Sequence, residues 1–87
     1  MPKTAYDYDE ASQEVRKALE KALPPNSTIS TKPGYLGRVH LLVVSEEFAG
    51  MSEEKKQKLI WKMLRDELGP NAQYVSLAMV YGPDELM

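Results

Sequence analysis

Cysteine is absent from this chain of 87 residues, and histidine, phenylalanine and tryptophan occur once each. Without cysteine there is no disulfide, no thiolate nucleophile and no thiolate ligand for a metal. A lone imidazole, His40, does not furnish a self-contained zinc site. No apolar run approaches the roughly 20 residues of a membrane-spanning helix. Neither sign of charge dominates: 11 Lys and Arg stand against 13 Asp and Glu, a net charge of −2. That balance is too mild to argue for a membrane surface or a nucleic acid by itself. Met1-Pro2-Lys3-Thr4 has no apolar stretch behind it, so no secretory signal is expected and the chain is read as cytoplasmic. What is present is 43% hydrophobic and 28% charged residues, the balance of one globular domain over residues 1–87.

The apolar pattern divides the chain into five elements. Ala11, Val15, Ala18, Leu19, Ala22 and Leu23 recur at helical spacing over Asp7 to Leu23. Asp7, Asp9 and Glu10 suit the start of that helix, and Pro24-Pro25 stops it. Ser27 to Thr31 is β-branched and predicts a short peripheral strand. Lys32 to Gly37 is a loop punctuated by Pro and Gly, and Arg38 to Ser45 is the strongest strand. The run Leu41-Leu42-Val43-Val44 is apolar on both faces, which predicts a central, covered strand. Ser52 is an N-cap for a helix running to about Leu68, with Leu59, Ile60, Met63 and Leu64 as its buried stripe and Gly69-Pro70 as its stop. Gln73 to Tyr81 is the last strand, and Pro83 to Leu86 suits a final helical turn. The order α-β-β-α-β, with a hairpin first and a helical crossover second, predicts an α+β two-layer sandwich whose helices cover one face of a three-stranded mixed sheet. Phe48, an isolated aromatic in a polar connection, is expected to pack under the second helix against Leu59 or Met63.

Few residues offer chemistry. His40 lies within the central strand, on the side of Leu42 and Val44; it suits a packed strand residue, or a ligand shared with a partner protein. Gly34-Tyr35-Leu36-Gly37 matches the G-x-x-G of KH-type RNA binders, but between strands it reads as a hairpin loop. Lys55, Lys58, Lys62 and Arg65 form a basic stripe at spacings of 3, 4 and 3 along the second helix, with Lys56 and Trp61 flanking it. The stripe suits a solvated face first; the alternative is a surface that holds phosphates while Trp61 stacks on a base or a partner. Glu54 and Asp66 interleave it, so nucleic-acid binding is expected to be weak. The acidic pairs Glu46-Glu47 and Glu53-Glu54 stand in polar contexts that give no reason for the displaced pKa values acid–base catalysis needs. No enzyme is expected.

From Arg38 to Leu86 the sequence resembles the BolA family. That family carries an apolar strand ending in Ser, then S-x-x-F-x-G, and five residues later R-H-R followed by an aliphatic–aromatic pair and a Leu. Here the matching residues are Ser45, Phe48 and Gly50, then Lys56-Gln57-Lys58, Ile60-Trp61 and Leu64. Val75-Ser76-Leu77 stands at the family's H-A-L strand, and Gly82-Pro83-Asp84-Glu85-Leu86 at its T-P-x-E-W ending. The resemblance implies a BolA-like variant of the class II KH architecture. It also implies a small non-enzymatic adaptor or regulator that binds a monothiol glutaredoxin, with roles in iron–sulfur trafficking or transcription regulation. The family's cluster ligands are the H-A-L histidine and a Cys or His in the loop between the first strands. This chain has Val75 at the first position and neither residue in the second, so it is expected to supply no metal ligand and to carry no cofactor of its own.

Overall fold

The computed structural model describes residues 6–86 and has the order read from the sequence. Helix α1, Tyr8–Ala22, begins where the Asp7 carboxylate accepts from the Glu10 N–H at 3.3 Å. It ends at Leu23, whose extended backbone leads into Pro24. Strands β1 (Thr28–Pro33) and β2 (Val39–Val44) pair antiparallel, with Thr28 opposite Val44 and Lys32 opposite His40. Helix α2, Glu53–Leu68, starts where the Ser52 hydroxyl accepts from the Lys55 N–H at 3.2 Å and stops at Gly69 (φ 59°). Strand β3, Val75–Tyr81, pairs parallel to β2, so the sheet order is β1-β2-β3 with β2 central. A 3₁₀ turn, Pro83–Leu86, follows.

Three boundaries differ from expectation for local reasons. β1 continues to Pro33, because Pro33 still pairs with Val39, and an edge strand tolerates a residue without an N–H. β3 starts at Val75, because Gly69–Tyr74 continues the end of α2 as 3₁₀ turns. The Gly34–Gly37 loop is a tight hairpin connection with positive φ at Leu36 (56°) and Gly37 (79°).

Both helices lie on one side of the sheet. Ala11, Val15 and Leu19 of α1 and Ile60 and Leu64 of α2 form a single core with Val39, Leu41, Val43, Ala78 and Val80 of the strands. Alternation along β2 then decides its burial: Val39, Leu41 and Val43 are sealed, while His40, Leu42 and Val44 are only half-buried. The helices cover one face of the sheet, as the element order predicts, and the central strand expected to be covered is covered on that side only. Two helices on the same side leave nothing among the described residues to cover the other.

Candidate functional site

The connection from β2 to α2 is a structural joint. Ser45 is buried; its hydroxyl accepts from the Glu47 N–H (3.2 Å) and from the Ser27 hydroxyl (2.8 Å), and its own N–H donates to the Tyr81 carbonyl (3.0 Å). That cap sets the 3₁₀ turn Glu46–Phe48, which drives Phe48 into the core with no exposed surface. Gly50 then takes a positive φ of 76° before the Ser52 cap. The S-x-x-F-x-G spacing thus has a physical reason of its own: a cap, a core plug and a turn. Leu59 and Met63 are half-buried against the core cluster to which Phe48 belongs.

Lys56 corrects the reading of α2. It is not a flank of the solvent-facing stripe; it is 2% exposed and shares the inner face with Ile60 and Leu64, four and eight residues on. Its ammonium donates to both oxygens of Glu85 (2.9 and 2.7 Å), meets Glu53 at 2.9 Å and lies 5.8 Å from the centre of the Tyr81 ring. The Glu85 carboxylate, then that of Glu53, hold the Lys56 pKa above the ordinary lysine value. In return Lys56, then the Gly82 N–H at 2.6 Å, hold Glu85 below the ordinary glutamate value. The cluster fastens the final turn to α2, and the 56-60-64 spacing is the signal in the sequence that marks it. Leu59 and Met63 flank that inner line and are only half-buried, so the sealed stripe is narrower than the pattern predicted.

The outer face of α2 brings most of the predicted stripe together. Gln57, Lys58, Trp61, Lys62 and Arg65 line a shallow depression of about 510 Å³. Its floor is fixed: Gln57 donates through Nε2 to the Ala78 carbonyl of β3 (2.8 Å) and accepts the Trp61 indole N–H at Oε1 (3.1 Å). Lys58 meets Glu54 at 3.4 Å and Lys62 meets Asp66 at 2.8 Å, both exposed pairs of little energetic weight. Lys55 stands outside the depression and serves the helix start through its N–H.

The uncovered side of the sheet is the other surface. Register places Lys32, His40 and Leu77 in one row, Ser30, Leu42 and Met79 in the next, and Thr28, Val44 and Tyr81 in the last. Leu77 and Met79 are 45% and 38% exposed. His40 leans over the hairpin, so close to Gly34 that a Cβ there would fall 2.6 Å from its ring and 2.9 Å from the Ser76 hydroxyl. Between Ser30, Lys32, His40, Leu42 and Met79 lies a hollow of about 310 Å³, with Leu41 also lining it. The exposed apolar character of this face was missed because each of its residues alternates with a core residue in an unbroken hydrophobic run. Compared with known proteins, the chain matches no family model, no curated protein and no solved structure.

Proposed function

We propose that this protein is a non-enzymatic, BolA-like cytoplasmic adaptor that acts by binding a protein partner, with a monothiol glutaredoxin as the partner class the sequence resemblance implies. The observation that carries the reading is the uncovered sheet face, where Leu77 and Met79 stand exposed beside half-buried Leu42 and Val44. Contiguous apolar surface rimmed by polar groups is a common property of interaction sites. Iron–sulfur trafficking enters through the glutaredoxin alone, since His40 is the chain's single imidazole and thiolates are absent.

The test is calorimetric titration with a monothiol glutaredoxin, followed by anaerobic mixing of the two with iron and sulfide. The expected result is a complex whose visible spectrum matches the glutaredoxin homodimer and does not change with His40→Ala. No heat of binding would refute the adaptor reading for this partner class. A distinct spectrum lost in His40→Ala would make His40 a ligand.

A second reading, a nucleic-acid-binding regulator acting through α2, is favoured by one observation: a fixed indole flanked by Lys58, Lys62 and Arg65 around a single depression. Its expected signature is weak single-strand binding that falls with salt, with a slope of about −0.7 per phosphate contacted. Replacing Lys55, Lys58 and Lys62 together removes that binding; a salt-insensitive affinity would exclude it.

A further inference from the structure

The outer edge of β1 carries a defined set of donors and acceptors. Across the hairpin Gly34 donates its N–H to the Arg38 carbonyl (2.6 Å), and Lys32 pairs with His40 two residues before it. Even-numbered residues of β1 thus turn their backbone groups toward β2, and Ile29, Thr31 and Pro33 turn theirs outward. The Arg16 guanidinium, which donates to the Ile29 carbonyl at 2.8 Å, lies on that outer side. Among the described residues no other group bonds to the outward N–H and C=O groups. Pro33 has no N–H. The edge therefore offers two donors, the N–H groups of Ile29 and Thr31, and two open acceptors, the carbonyls of Thr31 and Pro33.

These groups match one another across a two-fold axis at Thr31. Set a second copy antiparallel, with Thr31 opposite Thr31. Each Thr31 N–H then meets the other Thr31 carbonyl, and each Ile29 N–H meets the Pro33 carbonyl of the other copy. The one carbonyl left facing a proline nitrogen is that of Ile29, which Arg16 already satisfies. Other two-fold registers fail. Centred on Ile29 or Ser30, they require the Ile29 carbonyl to accept from the second copy in competition with Arg16. Centred on Lys32 or Pro33, they set an open carbonyl against Pro33, which has no hydrogen to give. Proline and lysine commonly guard an edge strand against pairing; here Pro33 and Arg16 leave one register open. In that register Lys32 stands opposite Ser30 and not opposite itself, so like charges are not set face to face.

A second feature falls in the same register. Carried two residues further, it brings Tyr35 of the second copy level with Ser27. Tyr35 is 77% exposed, the most exposed large apolar side chain among the described residues. Ser27 lines a pocket of about 250 Å³ with Arg16, Pro24, Pro25 and Ile29. A guanidinium and two prolines suit an aromatic ring.

We infer that β1 is a homodimerisation edge: two copies join antiparallel about Thr31 into one six-stranded sheet. Each hairpin then sets Tyr35 beside the Arg16 pocket of the other copy. Six residues a side are fewer than the roughly 20–30 of a standard interface, so the dimer is weak and forms near millimolar concentration. The inference is independent of the adaptor reading, because edge pairing leaves the open face of the sheet free.

The absence of cysteine makes the register directly testable, since Ser30→Cys and Lys32→Cys each introduce a single thiol at an exposed position. Opposed residues at such non-hydrogen-bonded positions have Cα atoms about 4.5 Å apart, within disulfide reach, whereas Ser30 and its own copy lie diagonally, about 8 Å apart and beyond it. Under a mild oxidant the mixture of the two variants should cross-link about tenfold faster than either variant alone. Sedimentation of the unaltered chain should show a mass rising from one copy toward two between about 20 μM and about 2 mM, with amide exchange at Ile29 and Thr31 slowing in step. Thr31→Pro removes one donor from each copy without touching the bonds to β2 and should weaken association about tenfold. Equal cross-linking in all three samples would overturn the inference, as would a single-copy mass at the highest concentration. Slow exchange at Ile29 and Thr31 that does not depend on concentration would also overturn it, by placing another segment of the same chain on the edge. A folded Thr31→Pro chain that associates like the unaltered one would move the interface elsewhere and overturn it too. If Thr31→Pro does not fold, the cross-linking comparison decides alone.

Discussion

The two faces of the sheet are built from nearly the same side chains and meet opposite fates. Leu41 and Leu77 sit on adjacent strands; the first has no exposed surface and the second is 45% exposed. Val43 is sealed, and Val44, its neighbour in the chain, is half-open. Nothing in the residues themselves separates the pairs. What separates them is that α1 and α2 are both placed on one side, so every second residue of β2 and β3 looks away from the helices. Apolar content alone therefore does not locate a core. On one face the aliphatic side chains are the source of stability; on the other the same chemistry is left available for recognition.

The sharpest way to test the contrast is to damage the covered side. Phe48 is the largest fully buried side chain and plugs the joint between β2 and α2. Phe48→Ala should lower unfolding free energy by about 3–5 kcal/mol. For a domain of ordinary stability, about 5–15 kcal/mol in total, that is a large fraction. Urea titration followed by Trp61 fluorescence measures it. A loss below about 1 kcal/mol would mean the joint collapses around the hole and the aromatic is not a keystone of the core.

This contrast marks how far the sequence could be read. The elements and their order were legible because helix and strand periods differ and because Asp7, Ser52, Gly69 and Pro24 punctuate the ends. The helix stripe was legible in outline through Ile60 and Leu64. Two features were not. Lys56 looked like surface because a lysine was weighed by its charge, although its spacing to Ile60 and Leu64 puts it on the inner face. Only the return of the last turn, which brings Glu85 to 2.7 Å, shows what compensates its burial. The element order already put the helices on one face, but the apolar character of the open face was hidden by the unbroken run Leu41 to Val44, which looks the same whether one side is covered or two. The basic stripe of α2 was legible as a cluster of Lys58, Lys62 and Arg65 around Trp61. Gln57 as the support of that indole depends on the distant Ala78 carbonyl, which no local pattern predicts.

Smaller effects belong to the helix start and the final turn. Ser52→Ala removes the acceptor for the Lys55 N–H and should cost about 1 kcal/mol, with Ser52→Asp close to neutral. Thermal melting distinguishes the two. For the Lys56–Glu85 pair the sign runs through linkage. Glu85 has a folded pKa below its ordinary 4.5, so its contribution is present above that pH and is lost as pH falls through the lowered value. Lys56 has a folded pKa above its ordinary 10.5, so its contribution is present below that pH and is lost as pH rises through the raised value. The Gly82 amide, which donates to Glu85 Oε1, is the reporter. Its NMR shift should hold constant through neutral pH and move at acid pH together with the loss of the final turn. Glu85→Gln should abolish that acid transition, while a transition that survives would assign it to other carboxylates.

The smallest expected effect on stability is the most informative for the comparison. Leu77→Ser and Met79→Ser remove apolar groups of the same kind as those in the core, from the same strand, two residues apart. If burial is set by helix placement, these side chains contribute less to folding than their sealed neighbours, because 45% of Leu77 and 38% of Met79 stays exposed in the folded chain. Their removal should change unfolding free energy by no more than about 1 kcal/mol. Ala78 and Val80 alternate with them and face the helices, so Val80→Ser, made on the same strand, should cost several times more. Chemical denaturation of the three variants side by side gives the answer, provided the slope with denaturant is unchanged. Equal losses at Met79 and Val80 would break the contrast, because they would show that the open face is covered in solution by something that unfolds with the domain. Neutral Leu77 and Met79 variants that no longer bind partner would sharpen it: the side chains that stability does not require would then be the ones that recognition does.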